Sequence, residues 1–455
     1  MSLNQLLILI AIKPLGKRLM LMLSFVLLNA CQSLPLLQWA DDPRTAVKHE
    51  FSLTEKQSVL GQAGILEIEA GDSLPIIARY FGLGFDEIIL ANPDVDPWLP
   101  EQGHTVSLPL RFILPKVPRK GLVLNLAAKR LFYFPGDKSD KVITFPIGIG
   151  REGWQTPTGT TSVIAKKVHP RWVVPKSIRL EHAKKGDPLP KIVPAGPNNP
   201  LGDYALRLGI PGYLIHGTNK PYGVGMAVSH GCVRLYPEDI PLLFKQIKTG
   251  TQVRLLNQPF LIGENKGELY IQIYPQTHTG KKQSRTRLAA FKKKLKRIER
   301  NSKRHIDWRQ VDAAILRSDG IPVTVFADSV EKETVARFTH PPELNRQIKP
   351  ASLADEFWRI KVAEFAESNS ARRLAVILNH QGPPIPAHVL PVSTGFIVVA
   401  GPFNSVKEAQ ASVNRLRIDF ALRPELIQPS KIIPELQDTT AFFPRILSIL
   451  GWTSN

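Results

Sequence analysis

The chain has 455 residues, which excludes a single hydrophobic core and predicts two to four domains. Hydrophobic residues make up 43% and charged residues 22%, values that are typical of globular domains. The formal charge of +20 is unusual and predicts attraction to a polyanion, which could be nucleic acid, anionic lipid or an acidic cell-wall polymer.

The N-terminus has the pattern of a secretory signal. Three basic residues precede the apolar run of residues 19–31, which is shorter than the roughly 20 residues of a membrane span. The run ends in "LNAC", which resembles the bacterial lipobox. This resemblance implies that residues 1–31 are a signal peptide and that Cys31 carries a lipid, with Gln32 after it favouring the outer membrane of a Gram-negative bacterium. The alternative is a signal peptide that ends near a cysteine by chance. Either way, a periplasmic location argues against nucleic acid as the polyanion.

Residues 32–63 are predicted to be a poorly structured tether, and residues 64–115 a small βααβ module. The predicted elements are a strand beginning at residue 65, helices over 75–82 and 84–93, and a strand over 104–110. The turn Gly71-Asp72-Ser73-Leu74 and the helix end Ala91-Asn92-Pro93 resemble those of the LysM peptidoglycan-binding module. That resemblance implies binding to N-acetylglucosamine in glycan strands. The alternative is an unrelated βααβ unit.

Residues 120–275 are rich in predicted strands. A hairpin is predicted over 121–134 and a helix over 237–248, and further strands are predicted over 141–150, 161–168, 213–217, 251–256 and 268–274. This pattern indicates a mostly-β domain with one helix packed against it. The Pro-rich stretch 167–199 is predicted to be a long structureless loop of functional use, such as a lid over a site.

Residues 276–350 are predicted to be a basic linker. Residues 281–305 combine a charge run with helical periodicity, which favours a solvated linker helix. A clamp for anionic glycan or lipid headgroups is the second interpretation.

Residues 355–428 are predicted to form an α+β unit of βαβ-βαβ order, followed by a tail over 429–455. A capping box of Ser405 and Glu408 is expected to begin the helix over 405–420. The run "VAGPF" (399–403) and this helix resemble the SPOR domain, which implies a ferredoxin-like fold that binds glycan stripped of its stem peptides. The alternative is a generic ferredoxin-like or scaffolding unit.

The chemistry concentrates in the stretch "SHGCVR", residues 229–234. With Cys31 lipidated, Cys232 has no disulfide partner, and a lone thiol in an oxidising periplasm is a liability unless it has a use. His216, His230 and Arg234 are the neighbours in sequence that could favour its thiolate. A glycine at 231 permits close approach of a substrate carbonyl, with backbone N–H groups around 231 and 232 directed at an oxyanion.

Two alternatives to a nucleophile have to be weighed. Zinc could use His216, His230 and Cys232, but a fourth ligand is not evident and the spacing matches no common zinc pattern. A buried structural cysteine beside satisfied histidines is the other alternative. A papain-like protease is disfavoured because the CGSCW-type context is missing and the nucleophile follows the candidate base.

The segment "YLIHGTNKPYGVGMAVSHGCVRLYPEDI" (213–240) resembles the signature of the L,D-transpeptidase (YkuD-type) catalytic domain. "TPTGT" (156–160) and "PLGDYALRLG" (200–209) resemble its flanking segments, so the likeness spans 120–275. It implies that Cys232 is the nucleophile, that His216 is the proton donor and acceptor, and that the carbonyl of Gly217 orients the imidazole. Four further residues match positions that shape the oxyanion hole or hold substrate carboxylates: Ser229, His230, Gly231 and Arg234.

The resemblance implies acyl transfer from a peptidoglycan stem tetrapeptide through a Cys thioester, with no cofactor and no metal. The acceptor is left open: a stem-peptide amine giving a 3–3 cross-link, a lysine of an outer-membrane lipoprotein, or water, which would make the enzyme a hydrolase. A non-catalytic wall-binding adaptor is the remaining alternative. The predicted protein is multidomain, with a mostly-β catalytic domain between a βααβ LysM-like module and a C-terminal α+β domain. Its expected partners are stem peptides and glycan strands, and it would meet the membrane only through its lipid anchor.

Overall fold

The computed structural model describes residues 49–55, 57–136, 140–276, 281–329, 335–341, 344, 357–380 and 383–429, all within one compact unit. The predicted signal peptide, Cys31 and nearly all of the predicted tail lie outside these residues. Within these ranges, no helix combines the length and the apolar character needed to cross a bilayer.

The N-terminal unit contains the predicted strand–helix–helix–strand order. Its elements are β1 (Glu50–Ser52), β2 (Val59–Gly61), β3 (Gly64–Glu67), α1 (Leu74–Tyr80), α2 (Phe85–Ala91), β4 (Thr105–Leu108) and β5 (Arg111–Ile113). β3 pairs antiparallel with β4, and the two helices lie between them in the chain. α1 begins with Pro75 in its first turn, where a missing N–H costs nothing.

The prediction of a poorly structured tether is wrong for residues 49–55 and 57–63. β1 pairs with β8 (Lys141–Pro146), β2 pairs with β5, and Leu60 is only 1% exposed. These short strands are held by partners up to 93 residues away in the chain, as in the pairing of Glu50 with Ile143. Because tertiary pairing supplies the order, the local sequence gives no signal for it.

The catalytic domain is built on a nine-stranded sheet that includes β1 and β8. Its other elements are β6 (Gly121–Asn125), β7 (Arg130–Phe134), β9 (Ile149–Gly150), β10 (Gly159–Val168), β11 (Trp172–Val173), α3 (Lys176–Lys184), β12 (Ile192–Val193), β13 (Tyr204–Leu208), β14 (Leu214–His216), a 3-10 turn (Pro221–Gly223), β15 (Ala227–Ser229), β16 (Val233–Arg234), α4 (Asp239–Gln246) and β17 (Gln252–Leu256). The strand order is β1-β8-β7-β6-β17-β10-β13-β14-β16.

Both faces of this sheet are covered near β6. Leu122 and Leu124 pack in one core with Leu243 of α4, whereas Val123 packs in a second core with Ile77 of α1. All five residues of β6 are buried, which explains its continuous apolar sequence. The N-terminal unit therefore packs as a layer on the catalytic sheet and shares a hydrophobic core with it, rather than forming an independent domain.

The prediction of a structureless loop over 167–199 is wrong. The segment contains α3 and the two-stranded ribbon of β11 and β12. Prolines flank α3 at Pro175 and Pro188, and the stretch between them is free of proline, so a helix can form there. Ile178 is the buried residue of α3, while Leu180 is 53% exposed. α3 itself therefore has few apolar contacts with the domain, whereas Val174 of this segment, called the lid below, is buried.

The predicted basic linker is also partly wrong. After β18 (Phe260–Asn265) and β19 (Glu268–Ile273) come α5 (Lys281–Ser302), α6 (Trp308–Arg317), β20 (Val323–Thr324) and β21 (Ala336–Phe338). β18, β19 and β20 form their own sheet, and Leu295 and Val311 of the two helices are buried against it. Residues 268–274 thus belong to this separate core and not to the catalytic sheet. The sequence predicts a solvated helix over 281–305. This prediction is wrong because the many charges of the helix hide a narrow apolar stripe, which is buried.

The C-terminal unit has the predicted βαβ-βαβ order. It consists of β22 (Trp358–Phe365), α7 (Ser368–His380), β23 (Ala387–Val392), β24 (Gly395–Phe403), α8 (Val406–Phe420) and β25 (Glu425–Ile427), with strand order β23-β24-β22-β25. Ser405 begins α8 by accepting a hydrogen bond from the Glu408 N–H at 3.2 Å. The Glu408 carboxylate accepts from the Asn404 N–H rather than from that of Ser405, so the predicted capping box is only half formed.

Candidate functional site

Cys232 lies at the end of the nine-stranded sheet, directly before β16. β14 and β16 are parallel, with Ile215 opposite Val233 and His216 opposite Arg234. Ile215 and Val233 face the core, at 0% and 1% exposure. Because side chains alternate across a strand, His216 and Arg234 lie on the opposite face, and Cys232, two residues before Arg234, is expected on that face as well. The fold thus brings together the thiol and a histidine that is distant in sequence.

The His216 imidazole is buried and has a fixed tautomer. Its Nδ1 lies 2.6 Å from the carbonyl oxygen of Gly217, and since a carbonyl only accepts, Nδ1 carries the proton. A neutral imidazole that is protonated on Nδ1 carries its lone pair on Nε2. Burial, followed by the charge of Arg234, lowers the pKa of His216 from 6.5 to about 3, against the opposing hydrogen bonds to the backbones of Gly217 and Leu201. The ring is therefore neutral at physiological pH and can accept a proton.

The Cys232 thiol is half-buried and protonated in the resting enzyme. Its Sγ lies 3.6 Å from the carbonyl oxygen of Gly212, to which it donates. Burial raises the pKa of Cys232, against the opposing effects of a hydrogen bond from the Leu214 backbone and the charge of Arg234. The resting pair is thus a neutral thiol and a neutral imidazole, so attack on a carbonyl requires proton transfer from sulfur.

The turn before the nucleophile is held by its own polar atoms. The Ser229 hydroxyl donates to the carbonyl of Cys232 at 2.6 Å and accepts from the Gly231 N–H at 3.1 Å. The Gly231 N–H is therefore used inside the turn, which differs from the expectation that it points at an oxyanion. Thr156 donates to the Gly231 carbonyl at 2.8 Å and accepts from the N–H of Gly150 at 2.9 Å. Thr156 was missed as a site residue, although it lies in the quoted "TPTGT" segment.

Gly231 cannot be replaced without strain. Its φ of +105° lies in the region that glycine tolerates best. A Cβ added there would lie 2.8 Å from Cε1 of Tyr213. The glycine therefore serves both the turn and the close packing beside the thiol.

His230 points away from the thiol, toward the lid. Its Nε2 lies 3.1 Å from the Glu181 carboxylate, and its ring meets Trp154 edge-on at 5.0 Å. Arg151 Nη2 lies 2.7 Å from each oxygen of Glu181. Burial lowers the pKa of His230, against the opposing effect of Glu181. These partners were missed because their contacts with His230 span up to 79 residues in sequence.

Arg234 is fixed through its backbone and has an unused side-chain donor. Its N–H and C=O exchange hydrogen bonds of 2.9 Å with Gly148. Nε of the guanidinium is buried and, among the described residues, has no hydrogen-bond partner. Burial lowers the pKa of Arg234. A guanidinium in a protein nevertheless keeps its charge at neutral pH. A buried unpaired donor of this kind suits an incoming carboxylate.

The three candidate zinc ligands do not converge. His230 is engaged by Glu181, and His216 uses Nδ1 on Gly217. In the described part of the chain, no group of three or more His, Cys, Asp or Glu residues is placed to hold a metal ion.

Comparison with known proteins identifies two domains. The L,D-transpeptidase catalytic domain family matches residues 119–255, and the SPOR domain family matches residues 354–427. The first match covers the nine-stranded sheet from β6 to β17, with Cys232 and His216. The second match covers the C-terminal βαβ-βαβ unit.

Three relatives from Escherichia coli K12 extend the likeness. "Probable L,D-transpeptidase YbiS" is 37% identical over 275 residues, which are 59% of this chain and 89% of that protein. "Probable L,D-transpeptidase ErfK/SrfK" is 36% identical over 60% of this chain and 90% of that protein. "Probable L,D-transpeptidase YcfS" is 42% identical over 45% of this chain, and the match spans 65% of its own length. The chain belongs to the L,D-transpeptidase family and carries a C-terminal SPOR domain.

Proposed function

We propose that this chain is a peptidoglycan L,D-transpeptidase in which Cys232 is the nucleophile and His216 the proton carrier. The observation that carries the proposal is their shared face at the end of the sheet, with the tautomer of His216 fixed by the Gly217 carbonyl. A neutral Nε2 beside a protonated thiol is the arrangement that base-assisted attack by a thiol requires.

The reaction is an acyl transfer in two halves. Cys232 Sγ attacks the carbonyl that joins the third residue of a stem peptide to its terminal D-alanine, and His216 Nε2 takes the thiol proton. The tetrahedral intermediate collapses, the C–N bond breaks, and His216 gives its proton to the departing amine. The product is a thioester and free D-alanine. An acceptor amine then attacks the thioester, His216 removes its proton, and the Cys232 thiol is restored.

The carboxylates of the substrate are the expected partners of the charged side chain of Arg234. The unpaired Nε of Arg234 lies on the face of the nucleophile and can bind one of them. Ser229 and Gly231 hold the turn in place, and His230 shapes its outer wall through Glu181 and Trp154. The chemistry up to the thioester is the same for a 3–3 cross-link, for anchoring of a lipoprotein lysine and for hydrolysis.

The flanking units fit retention on the cell wall. The SPOR domain would bind glycan stripped of stem peptides, and the βααβ unit, as a LysM-like module, would bind N-acetylglucosamine. Two weak contacts with one polymer raise the effective concentration of enzyme at its substrate. A periplasmic protein anchored to the outer membrane through Cys31 would reach the wall from that side.

Purified wild type and Cys232→Ala, incubated with disaccharide-tetrapeptide, test the mechanism. Wild type should release D-alanine and Cys232→Ala should not; equal release from both would reject Cys232 as the nucleophile. A carbapenem-type β-lactam should add its mass to wild type alone on intact mass spectrometry. Analysis of the wall of cells with and without the protein, scored for 3–3 dimers, anchored lysine remnants and tripeptides, would then identify the acceptor.

A further inference from the structure

Glu181, an acidic residue of the lid, links α3 to the wall of the active site, next to a ring contact of His182 with His230 at 6.3 Å. Glu181 of α3 contacts Arg151 at 2.7 Å, His230 at 3.1 Å and Lys185 at 2.9 Å. Arg151 and His230 both flank the nucleophile turn: His230 is separated from Cys232 by one glycine, and the Arg151 N–H donates to the Ser229 carbonyl at 2.9 Å. The site wall therefore presents two cationic or hydrogen-bonding groups to one carboxylate.

The geometry of the contact between Arg151 and Glu181 favours its replacement by another carboxylate. Both oxygens of Glu181 meet the same nitrogen, Nη2, so the two-nitrogen fork that makes an arginine–carboxylate pair strong is not used. The side chains of Arg151 and Glu181 are 36% and 23% exposed, so solvent reaches both. An exposed ion pair of this kind contributes little net free energy.

Few apolar side chains of the lid are buried, with Val174 at 3% exposure ahead of α3. Three of its apolar residues are exposed: Val173 at 63%, Leu180 at 53% and Ile192 at 46%. α3 buries only Ile178. With one buried apolar residue in α3, the polar contacts of Glu181 contribute to holding the helix in place.

We propose that Arg151 and His230 form a carboxylate-binding subsite, that Glu181 occupies it in the unliganded enzyme, and that a carboxylate of the stem peptide displaces Glu181 when substrate binds. This inference rests on the proposed transpeptidase function. The stem peptide carries carboxylates within a few bonds of the scissile carbonyl, on the terminal D-alanine and on the side chain of the third residue. Either can supply the charge that Glu181 supplies at rest.

Three substrates distinguish the two sources: the disaccharide-tetrapeptide, its analogue amidated at the side chain of the third residue, and its analogue amidated at the terminal D-alanine. Release of the terminal residue gives kcat/KM for each: D-alanine from the first two substrates and D-alaninamide from the third. Wild type should discriminate against the amide at the relevant position by roughly tenfold or more. Arg151→Gln should lose that discrimination, whereas Arg171→Gln, which removes an exposed arginine from the same segment, should keep it.

The ratio is measured within one variant, so a partly unfolded preparation changes both rates and leaves the ratio intact. Arg151→Lys, which keeps the charge, should restore part of the discrimination. Arg151→Gln with wild-type discrimination against both amides would overturn the subsite.

Glu181→Gln tests the displacement. Removing the competing charge should lower KM for the free-carboxylate substrate about threefold or more and leave KM for the matching amide unchanged. A raised KM would show that Glu181 only fastens the lid, and would overturn its role as an occupant. Wild type that releases neither D-alanine nor D-alaninamide from any of the three substrates would instead reject the proposed function itself.

Discussion

Arg79 of the N-terminal unit and Glu238 of the catalytic domain form a two-nitrogen ion pair, Nε to Oε1 at 2.8 Å and Nη2 to Oε2 at 3.0 Å. The two side chains are 6% and 14% exposed. A second buried pair, Arg130 with Glu87, joins the same two layers. Glu238 lies six residues after Cys232, so this pair joins the N-terminal unit to the segment that follows the nucleophile.

Removing one partner of this pair should destabilise the protein. Arg79→Ala leaves Glu238 buried without its partner, which costs about 3 kcal/mol in the free energy of unfolding. Arg309→Ala, at a side chain that is 98% exposed, should cost less than about 0.5 kcal/mol. Urea unfolding of both variants measures the difference. Equal stability of the two would mean that the N-terminal layer does not depend on this pair.

Replacing Gly231 should impair acylation. Gly231→Ala places a Cβ 2.8 Å from Tyr213 at a φ of +105°, so the turn has to move and Cys232 moves with it. The rate of acylation by a carbapenem-type β-lactam should fall about 100-fold or more. Gly250→Ala is the matched control, because φ there is +91° but a Cβ would meet nothing within 4 Å. Comparable loss in both variants would assign the effect to backbone strain alone.

The pH profile of acylation should report the lowered pKa of His216. With that pKa at about 3, the imidazole stays neutral from pH 7 down to pH 5, and the rate should change little over this range. A histidine with the ordinary pKa of 6.5 would instead lose most of its free base there. Intact mass spectrometry at short times measures the rate. A midpoint near pH 6.5 would contradict a buried neutral base.

The two histidines of the site should differ in importance. His216→Ala removes the proton carrier and should abolish thioester formation. His230→Ala removes a wall residue held by Glu181 and should leave a slow enzyme. Release of D-alanine from the tetrapeptide compares the variants. The opposite ranking would exchange their roles.

Stability should fall as the pH is lowered through the ordinary pKa of histidine. Burial lowers the pKa of His49 from 6.5 to about 4, with Arg130 adding to the effect, so the unfolded chain binds a proton that the folded chain does not. The contribution of His49 to the free energy of unfolding is therefore fully present above pH 6.5 and declines as the pH falls below that value. Between pH 8 and pH 5 this one residue contributes a loss of about 2 kcal/mol.

Urea unfolding at the two pH values measures this loss. His49→Gln should reduce it by that amount, while His169→Gln, at a side chain that is 68% exposed, should not. An unchanged pH dependence in His49→Gln would mean that His49 is protonated without cost in the folded protein.

Several features could be predicted from the sequence because their signals are local. The motif around Cys232 and the segment with His216 specify a turn, a thiol and a strand end. These features depend on neighbouring residues and not on the rest of the fold. The βααβ and βαβ-βαβ orders likewise follow from turn residues and periodicity, which act over a few residues.

Tertiary structure decided what depends on contacts between distant residues. The strands β1 and β2 exist because partners far along the chain pair with them, and the basic helix α5 is fixed by a core that its charges conceal. The pairs of Glu181 with Arg151 and of Glu238 with Arg79 span 30 and 159 residues, and single charged residues carry no sign of their partner. The sequence by itself determined which chemistry this protein holds; the fold decided which charges surround it, because burial and charge act through space and not along the chain.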